Sequence, residues 1–328
     1  MRLTVPGNLL LLGEYAVTEE GGLGLALAVD KRVTAEIQTS TALIVEGRWA
    51  EEAVLWSAEK PEASPLINGI VATWREQLYS QGLCLLEAEA PKLCSRRDPA
   101  ARIVVDSSQF FSGGRKSGFG SSAAVTVALT CALLHLSGFS GPQLLKCAAR
   151  LALIAHRRVQ GGRGSGYDVY ASLYGGFGCL VGGAKPSWQA VQLPWLPPLY
   201  LFAGSAGVST PNSLQNYERW KAGDPAWWRS FLQQSNQAVR RFLKADNWPA
   251  ARPAFSASKE LGMQLGEKIG VSAAIEPPIP LNPELYKAIG AGNELGIYLD
   301  ETPPEAGSRD QPGLEAVVPS PEGVRWYS

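Results

Sequence analysis

The segment "KSGFGSSAAV" at residues 116–125 contains the residue types that bind phosphate groups. Gly118 and Gly120 allow the backbone to turn tightly and approach an anion without a Cβ clash. The helix predicted to follow would present unpaired N–H groups and the positive end of its dipole. The two serines after Gly120 could donate to phosphate oxygens or bind Mg²⁺, and Lys116 would add a charge. For this segment alone, an ordinary capped helix with a flexible entry is an equal alternative.

A second glycine-rich segment, "GSGYDVYASLYGG", covers residues 164–176. Gly164 and Gly166 flank Ser165, and Asp168 opens the predicted helix. An acid at the end of a glycine loop can orient an acceptor, bind Mg²⁺ or take a proton. The alternative is that Asp168 only interacts favourably with the dipole of its own helix.

Two further segments have both a structural and a functional interpretation. In "KAIGAGNELGIYL", Gly290 and Gly292 precede an apolar strand, so they bring backbone close to a ligand or form a tight hairpin. The hairpin is favoured for that segment alone. Ser209 and Thr210 precede Pro211, which predicts a helix N-cap first and a phosphate-binding role second.

Composition excludes several classes of function. The chain has 30 basic and 30 acidic residues, so a nucleic-acid partner is not expected. The five cysteines are scattered without CxxC spacing, which predicts a reduced protein. Only two histidines, His135 and His156, are present, and both lie near predicted helix ends, so a metal site or Ser-His-Asp triad is not expected. No apolar stretch approaches the length of a membrane span, and a soluble cytoplasmic protein is expected.

The hydrophobic pattern predicts a mixed α and β chain. Short apolar strands interrupted by glycines open the sequence, with Val33, Ala35 and Ile37 on one face. Helices are predicted from near Ser64, after Gly120 and from about Gln143 to Val159. The helix after Gly120 is predicted to bury one face, formed by Val125, Leu129, Ala132, Leu133 and Leu136.

The composition of the chain changes after Lys185, where proline and tryptophan become frequent. We therefore predict two domains, 1–185 and 186–328. The second domain is predicted to hold a helix capped by Asp224, which buries Trp228, Phe231, Leu232, Val239 and Phe242. Another helix is predicted from about Ser256 to Lys268, and the segment "ETPPEAGSRDQPG", residues 301–313, is predicted to be a loop.

Three of these segments, in their order along the chain, resemble the motifs of the GHMP kinase superfamily. They are "PGNLLLLGEYAV", "GFGSSAA" and "GAG". Longer segments, "AHRRVQGGRGSGYDVYASLYGG" and "GVSTPNSLQNYERW" among them, are similar to the phosphomevalonate kinase family. The resemblance implies an α+β fold of two domains, the first like domain 2 of ribosomal protein S5 and the second ferredoxin-like, with the active site in the cleft between them.

The resemblance also implies roles for particular residues. ATP and Mg²⁺ would be the cofactors, and a small phosphorylated acid would be the acceptor. Catalysis would involve Asp168, Lys116 and the position of Asn8, and the metal ligands would be Ser122 and Asp168. The nucleotide would be bound by Gly118, Phe119, Gly120, Ser121, Ser122 and Ala123. The acceptor would be bound by Glu14, Tyr15, Arg163, Ser165, Gly166, Ser209, Thr210, Gly290, Ala291 and Gly292, with Arg157 and Arg158 as further basic candidates.

Two positions depart from the pattern of the superfamily. Asn8 stands where the first motif has lysine, and an amide cannot neutralise the charge of a transferring phosphoryl group. Asn293 and Glu294 follow the third motif, where more glycines are usual. The sequence therefore leaves three possibilities: a phosphomevalonate kinase compensated by another cation, a mevalonate or sugar kinase, and a homologue that binds ligand without turnover. A monomer or homodimer with no membrane partner is expected.

Overall fold

The structure is a computed structural model, and it describes residues 1–49, 52–79, 98–112, 115–162, 164–204, 210–301 and 313–327. The strands are β1 (Arg2–Leu12), β2 (Leu23–Thr39), β3 (Ile44–Trp49), β4 (Glu52–Ser57), β5 (Ala101–Asp106), β6 (Phe111–Ser112), β7 (Arg115–Lys116), β8 (Phe177–Val181), β9 (Ser187–Val191), β10 (Leu199–Ala203), β11 (Tyr286–Ile289), β12 (Leu295–Leu299), β13 (Glu315–Val317) and β14 (Arg325–Tyr327). The helices are α1 (Pro65–Tyr79), α2 (Ser121–Leu136), α3 (Gly141–Val159), α4 (Tyr167–Tyr174), α5 (Thr210–Gly223), α6 (Pro225–Lys244) and α7 (Trp248–Ile269).

The chain forms two compact units, and neither is continuous in sequence. Unit 1 contains Met1–Asn8, Ala28–Gly176 and Ser320–Ser328. Unit 2 contains Leu9–Leu27 and Phe177–Pro319. The predicted single boundary after residue 185 does not coincide with the edges of these units, and the division into domains 1–185 and 186–328 stays a prediction.

Unit 1 is built on a sheet with the strand order β14-β1-β2-β5-β3-β4. β3 and β5 are parallel, whereas β5 is antiparallel to β2 and β14 is antiparallel to β1. The strands that open the chain were predicted to be short, but β1 has 11 residues and β2 has 17. Gly7 lies inside β1 and does not interrupt the strand. A Cβ at this position would overlap the Phe119 carbonyl and the Phe110 ring, so glycine is what allows them to approach β1 closely.

The helices of unit 1, α1 to α4, pack against one another, and α2 also contacts β5. We predicted a single buried face for α2, and this was wrong, because every residue from 123 to 134 is buried. A helix that is apolar on all sides lies in the interior of its layer. Packing along the whole of α2 therefore fixes the position of its N-terminus.

Unit 2 contains an antiparallel sheet with the order β11-β12-β10-β13, and β8 pairs with the first part of β2 and with β9. Helices α6 and α7 pack together, and α7 also contacts β11. As predicted, Asp224 caps α6, and its Oδ1 accepts from the Trp227 N–H at 3.2 Å. Phe231 is buried in an aromatic cluster with Tyr217, whereas Trp228 and Leu232 are only partly buried.

Helix α7 begins eight residues before the predicted start. Asn247 caps it by accepting from the Ala250 N–H at 2.9 Å, and Pro253 lies inside it. Proline normally disfavours a helix interior, but here Trp248 and Phe255 bury the early turns on both sides of Pro253. The α+β class predicted from the sequence is confirmed. Within the described residues, none of the helices combines the length and apolar character needed to span a bilayer.

Candidate functional site

The first part of the site is the loop before α2 in unit 1. Gly120 is the N-cap of α2 and has a left-handed conformation with φ of 69°. No side chain of the described residues caps this helix, and its first turn contains no acidic residue. The backbone N–H groups at the start of α2 are thus directed outward from a buried helix, an arrangement that binds anions.

Asn8 holds this loop from within unit 1. Its side chain is 2% exposed, and its Nδ2 donates to the Gly120 carbonyl at 3.2 Å and to Ser172 Oγ at 3.0 Å. Its backbone N–H donates to the Phe119 carbonyl at 2.9 Å. A Cβ on Gly120 would overlap the Asn8 amide, so glycine is required there by space as well as by φ.

Asn8 also connects the loop to the helix that carries Asp168. Ser172 and Asp168 lie one turn apart on α4, so they share a face of that helix. Asp168 Oδ1 accepts from the Val169 N–H at 2.9 Å, and Oδ2 lies 3.5 Å from His156 Nδ1. The sequence placed His156 only near a helix end, but the structure buries it beside the predicted catalytic acid.

Arg157 fixes the second glycine loop. Its Nε donates to the Gly164 carbonyl at 2.8 Å, and an Nη donates to the Ser165 carbonyl at 3.4 Å. Burial lowers the pKa of Arg157, while Tyr170 and Asp168 raise it. Arg157 therefore holds the loop before α4 through its backbone. The Ser165 hydroxyl accepts from the Tyr167 N–H at 3.4 Å at the start of that helix.

The cations near the first loop are arranged differently from what the sequence suggested. Lys116 is exposed on β7, which pairs with β6. Arg158 forms an ion pair with Glu76 at 2.8 Å. Lys31 Nζ lies 4.6 Å from the centre of the Phe119 ring, within the predicted nucleotide loop. Lys31 was missed by the sequence analysis, because a single lysine in the middle of a long strand has no motif to mark it.

Unit 2 brings together a different group of predicted residues. Glu14, Tyr15, Gly290, Ala291 and Gly292 line one cavity of about 40 Å³. Lys287 lines the same cavity, forms an ion pair with Glu14, and donates to the Ala288 carbonyl at 2.9 Å. The sequence analysis missed Lys287, although it lies three residues before the third motif. The lysine is 2% exposed, and its inward position follows from the alternation along β11.

Tyr15 has an unusual backbone. Its φ is 60° and its ψ is −48°, and the Ala16 N–H donates to the Glu14 carbonyl at 2.7 Å. These values describe a γ-turn of the rare, strained type. The Tyr15 hydroxyl donates to the Ala291 carbonyl at 2.6 Å, and its ring lies 5.2 Å from that of Tyr217. Burial raises the pKa of the Tyr15 phenol to about 12.

The third glycine motif forms the hairpin turn between β11 and β12, so the structural interpretation of that segment is correct for its backbone. The same turn also lines the cavity beside Glu14. Arg163 and Ser209 lie outside the described residues, as do Cys84, Cys94 and most of the segment 301–313, which is predicted to be a loop. Thr210 is the first residue of α5, so the cap predicted for that helix stays a prediction.

The described residues contain no cluster of three or more His, Cys, Asp or Glu side chains arranged to hold a metal ion. Mg²⁺ is commonly bound by one or two carboxylates together with substrate phosphates and waters. The predicted ligands, Ser122 and Asp168, have the oxygen chemistry that such a site requires.

Comparison with known proteins agrees with the resemblance. Residues 84–176 match the family described as GHMP kinases N terminal domain. The chain is 30% identical over 179 residues to a phosphomevalonate kinase from Saccharolobus solfataricus, which covers 53% of this chain and 47% of that protein. The chain spans about half the length of the curated relatives it matches.

Solved structures share the fold over nearly the whole chain. A Lin0012 protein from Listeria innocua has a TM-score of 0.71 at 20% identity, covering 92% of this chain and 91% of that one. Streptococcus pneumoniae phosphomevalonate kinase, in complex with phosphomevalonate and AMPPNP, has a TM-score of 0.63 at 18% identity, covering 92% and 93%. The chain thus has the GHMP kinase fold, and its predicted resemblance to GHMP kinases, phosphomevalonate kinases among them, is confirmed.

Proposed function

We propose that this chain, which has the GHMP kinase fold, transfers the γ-phosphoryl group of ATP to phosphomevalonate in the mevalonate pathway. One observation carries the proposal: the buried Asn8 amide connects the glycine loop before α2 to the helix that bears Asp168. A phosphotransferase needs an anion-binding loop and an acidic residue held in a fixed relation. The shared bridge to Asn8 supplies that relation within unit 1.

The nucleotide would be bound by residues 118–123. The outward N–H groups at the start of α2 suit a triphosphate, because they combine hydrogen-bond donors with the positive end of a buried helix. The Ser122 hydroxyl and the Asp168 carboxylate would hold Mg²⁺ together with the nucleotide. When bound, that ion would neutralise charge on the phosphate oxygens. Lys116 precedes the loop in sequence, and Lys31 Nζ lies 4.6 Å from the centre of the Phe119 ring, so either lysine could add positive charge.

The acceptor determines what is required of Asp168. A phosphate monoester has a second pKa of about 6, so its attacking oxygen is already largely ionised at neutral pH. A strong base is then unnecessary, and the carboxylate can serve to orient. Its bonds to the Val169 N–H and its contact with His156 fix the orientation of Asp168, which fits that role. An alcohol acceptor, such as mevalonate, would instead need its proton removed during transfer.

A homologue that binds ligand without turnover is the second candidate, and Asn8 favours it. In this structure the residue that replaces the motif lysine donates to Gly120 and Ser172. It is therefore occupied in holding the loop and supplies no charge to a transferring phosphoryl group. In the kinase hypothesis, another cation would supply that charge, and Lys116, Lys31 and Arg163, which lies outside the described residues, are the candidates.

Release of ADP in the presence of Mg²⁺, measured with phosphomevalonate, mevalonate and homoserine, tests the proposal. We expect turnover with phosphomevalonate to exceed turnover with the other two acceptors. The Asp168→Asn variant, prepared in the same way, is the control for a contaminating kinase, and its rate should fall by about 10²-fold or more. Absence of turnover with all three acceptors would refute the kinase assignment. Tight nucleotide binding without turnover would then support the second candidate.

A further inference from the structure

Two side chains at the end of α3, in unit 1, form a chain of contacts that leads to Asp168. His156 is 2% exposed, and its Nδ1 lies 3.5 Å from Asp168 Oδ2. Its Nε2 lies 3.4 Å from the Nε2 of Gln160, the residue that ends α3. The two residues are four apart in sequence, so their side chains lie on the same face of the helix. Each nitrogen of the buried ring therefore faces a polar group.

These partners determine which ring nitrogen carries the hydrogen. An uncharged imidazole has one donor nitrogen and one acceptor nitrogen. An ionised carboxylate only accepts hydrogen bonds, so Nδ1, which faces Asp168, is the donor. Nε2 is then the acceptor, and the amide nitrogen of Gln160 is a donor that suits it. One tautomer, with hydrogen at Nδ1, thus satisfies both contacts of His156.

The second glycine loop packs against the other end of the Gln160 amide. Gly164 has a φ of 113°, and a Cβ at this position would lie 2.5 Å from Gln160 Oε1. The amide oxygen therefore lies against the loop backbone while the amide nitrogen faces the His156 ring. Arg157 holds the same part of the loop, because its Nε donates to the Gly164 carbonyl at 2.8 Å. Gln160 is thus enclosed between the loop before α4 and His156.

The orientation of the ring matters for both oxygens of Asp168. Oδ1 accepts from the Val169 N–H at 2.9 Å, and Oδ2 faces the ring. If the ring turned by half a turn, a C–H group would replace Nδ1 beside Oδ2, and another would replace Nε2 beside Gln160. The contact with Gln160 opposes this rotation. Each carboxylate oxygen keeps a further lone pair, so the oriented Asp168 can still bind a ligand.

We propose that His156 and Gln160 are positioning residues, which orient the Asp168 carboxylate through an imidazole that donates from Nδ1 and accepts at Nε2. This inference rests on the proposed function, in which Asp168 must hold a fixed orientation during phosphoryl transfer. Neither residue takes part in the transfer itself. An apolar side chain would fill the place of His156 without needing two polar partners, so the ring is present for its hydrogen-bonding geometry.

The first test reads the tautomer from the nuclear magnetic resonance spectrum of the full chain labelled with ¹⁵N-histidine. The chain has two histidines, so the spectrum contains two imidazole rings, and His135→Leu assigns them. In mildly alkaline buffer, we expect His156 to show a pyrrole-type shift at Nδ1 and a pyridine-type shift at Nε2. Hydrogen at Nε2, alone or together with Nδ1, overturns the proposal, because Gln160 could then not donate to the ring.

The second test measures ADP release with phosphomevalonate. The value of kcat is expressed per nucleotide-binding site, counted by calorimetric titration with an ATP analogue, so unfolded protein does not lower it. His156→Leu should lower kcat by about 10²-fold, because a small displacement of a catalytic group costs that much. KM for ATP should change by less than about twofold, since the lost interaction acts on transfer. His156→Asn keeps an amide N–H near the position of Nδ1, so it should recover at least about tenfold of the lost kcat.

Gln160→Met tests the outer contact and does not depend on the folding of the His156 variants. Gln160 is only half-buried, and methionine has a similar length without the amide. Loss of this one hydrogen bond should lower kcat by about fivefold. The matched control is His135→Leu, in the last turn of α2, where the ring lies 5.1 Å from that of Trp326. Its kcat should equal that of the wild-type protein.

The outcomes separate this inference from the proposed function. Equal kcat in His156→Leu and His156→Asn overturns the positioning role, as does unchanged kcat in Gln160→Met. Absence of turnover by the wild-type protein refutes the proposed function and the positioning role in transfer with it. Hydrogen at Nε2 in a protein that turns over phosphomevalonate refutes only the arrangement of His156 and Gln160.

Discussion

Replacing Asn8 by alanine tests whether the glycine loop depends on the bridge to α4. The substitution removes the hydrogen bonds to the Gly120 carbonyl and to Ser172 Oγ. Gly120 keeps the bond from the Ala124 N–H at 3.2 Å, but the buried Ser172 loses its donor. At about 1 kcal/mol for each bond, we expect a loss of about 2 kcal/mol in the free energy of unfolding. For a chain of 328 residues, with an unfolding entropy of about 2.1 cal/mol/K per residue, that corresponds to a fall in Tm of about 3 °C.

The same bonds hold the loop in the conformation that binds phosphate. If all of this free energy stabilises the phosphate-binding conformation, the affinity of Asn8→Ala for an ATP analogue with Mg²⁺ should fall by up to about 30-fold. Isothermal titration calorimetry measures this affinity, and calorimetric melting measures Tm.

The control for Asn8→Ala is Asn236→Ala in unit 2. Asn236 Oδ1 accepts from the Leu23 N–H at 2.7 Å, and its Nδ2 donates to the Gly21 carbonyl at 3.0 Å. Removing it also deletes two hydrogen bonds, so Tm should fall by a similar amount while nucleotide affinity stays unchanged. The reasoning is refuted if the two variants lose stability equally and bind nucleotide with the same affinity.

Three further outcomes are expected. Gly120→Ala should be less stable than Gly141→Ala by about 1 kcal/mol or more in urea unfolding. Both glycines have positive φ, but only a Cβ at position 120 would overlap a neighbour. Equal losses of unfolding free energy would contradict the packing of Asn8 against Gly120. Burial raises the pKa of the Tyr15 phenol from 10.0 to about 12, so its contribution to stability is complete below pH 10 and is lost as the pH rises through 12. The difference in unfolding free energy between the wild-type protein and Tyr15→Phe should therefore shrink by about 2 kcal/mol from pH 9 to 12, and a constant difference would contradict the burial of Tyr15. Arg157→Leu should raise KM for the acceptor by about tenfold. Arg158→Leu loses an exposed ion pair with Glu76 and should change KM by less than twofold. Equal changes in KM would show that Arg157 does not support the second glycine loop.

Periodicity and capping residues predicted most of the helices because those features act locally. Helix ends are marked by hydrogen bonds within a few residues, as at Ser64, Asp224 and Gly138. The start of α7 was missed because proline inside a helix is tolerated only when tertiary packing outweighs its local cost. The burial of all sides of α2 was missed for a similar reason, since a pattern cannot reveal neighbours from distant segments.

The residues of the candidate site also fall into two groups: those that a local pattern or motif predicts, and those whose role depends on a partner that is distant in sequence. The glycine loops and Asp168 were predicted from residue types and spacing, because each carries a local requirement for space or charge. Glu14 and Tyr15 were predicted only from the resemblance to the first GHMP kinase motif. Lys287 was missed because its importance arises from a partner 273 residues away in sequence. The sequence predicted that Asn8 brings no positive charge, but it could not show that its amide bridges the start of α2 and α4. Long-range pairs of this kind are decided by the fold.

The pairing of β14 with β1 has a consequence for synthesis of the chain. Residues 320–328 belong to unit 1, and Trp326 pairs with Leu3 in the strand that leads to Asn8. A ribosome releases the N-terminal residues first, so β1 has no partner on this edge until residues 325–327 have been synthesised. Arg32, which donates to Thr4 and Ser320, gains its second partner only after residue 320 has been added. Nascent chains that stop before residue 320 should therefore expose an unpaired strand edge and depend on chaperones until β14 emerges.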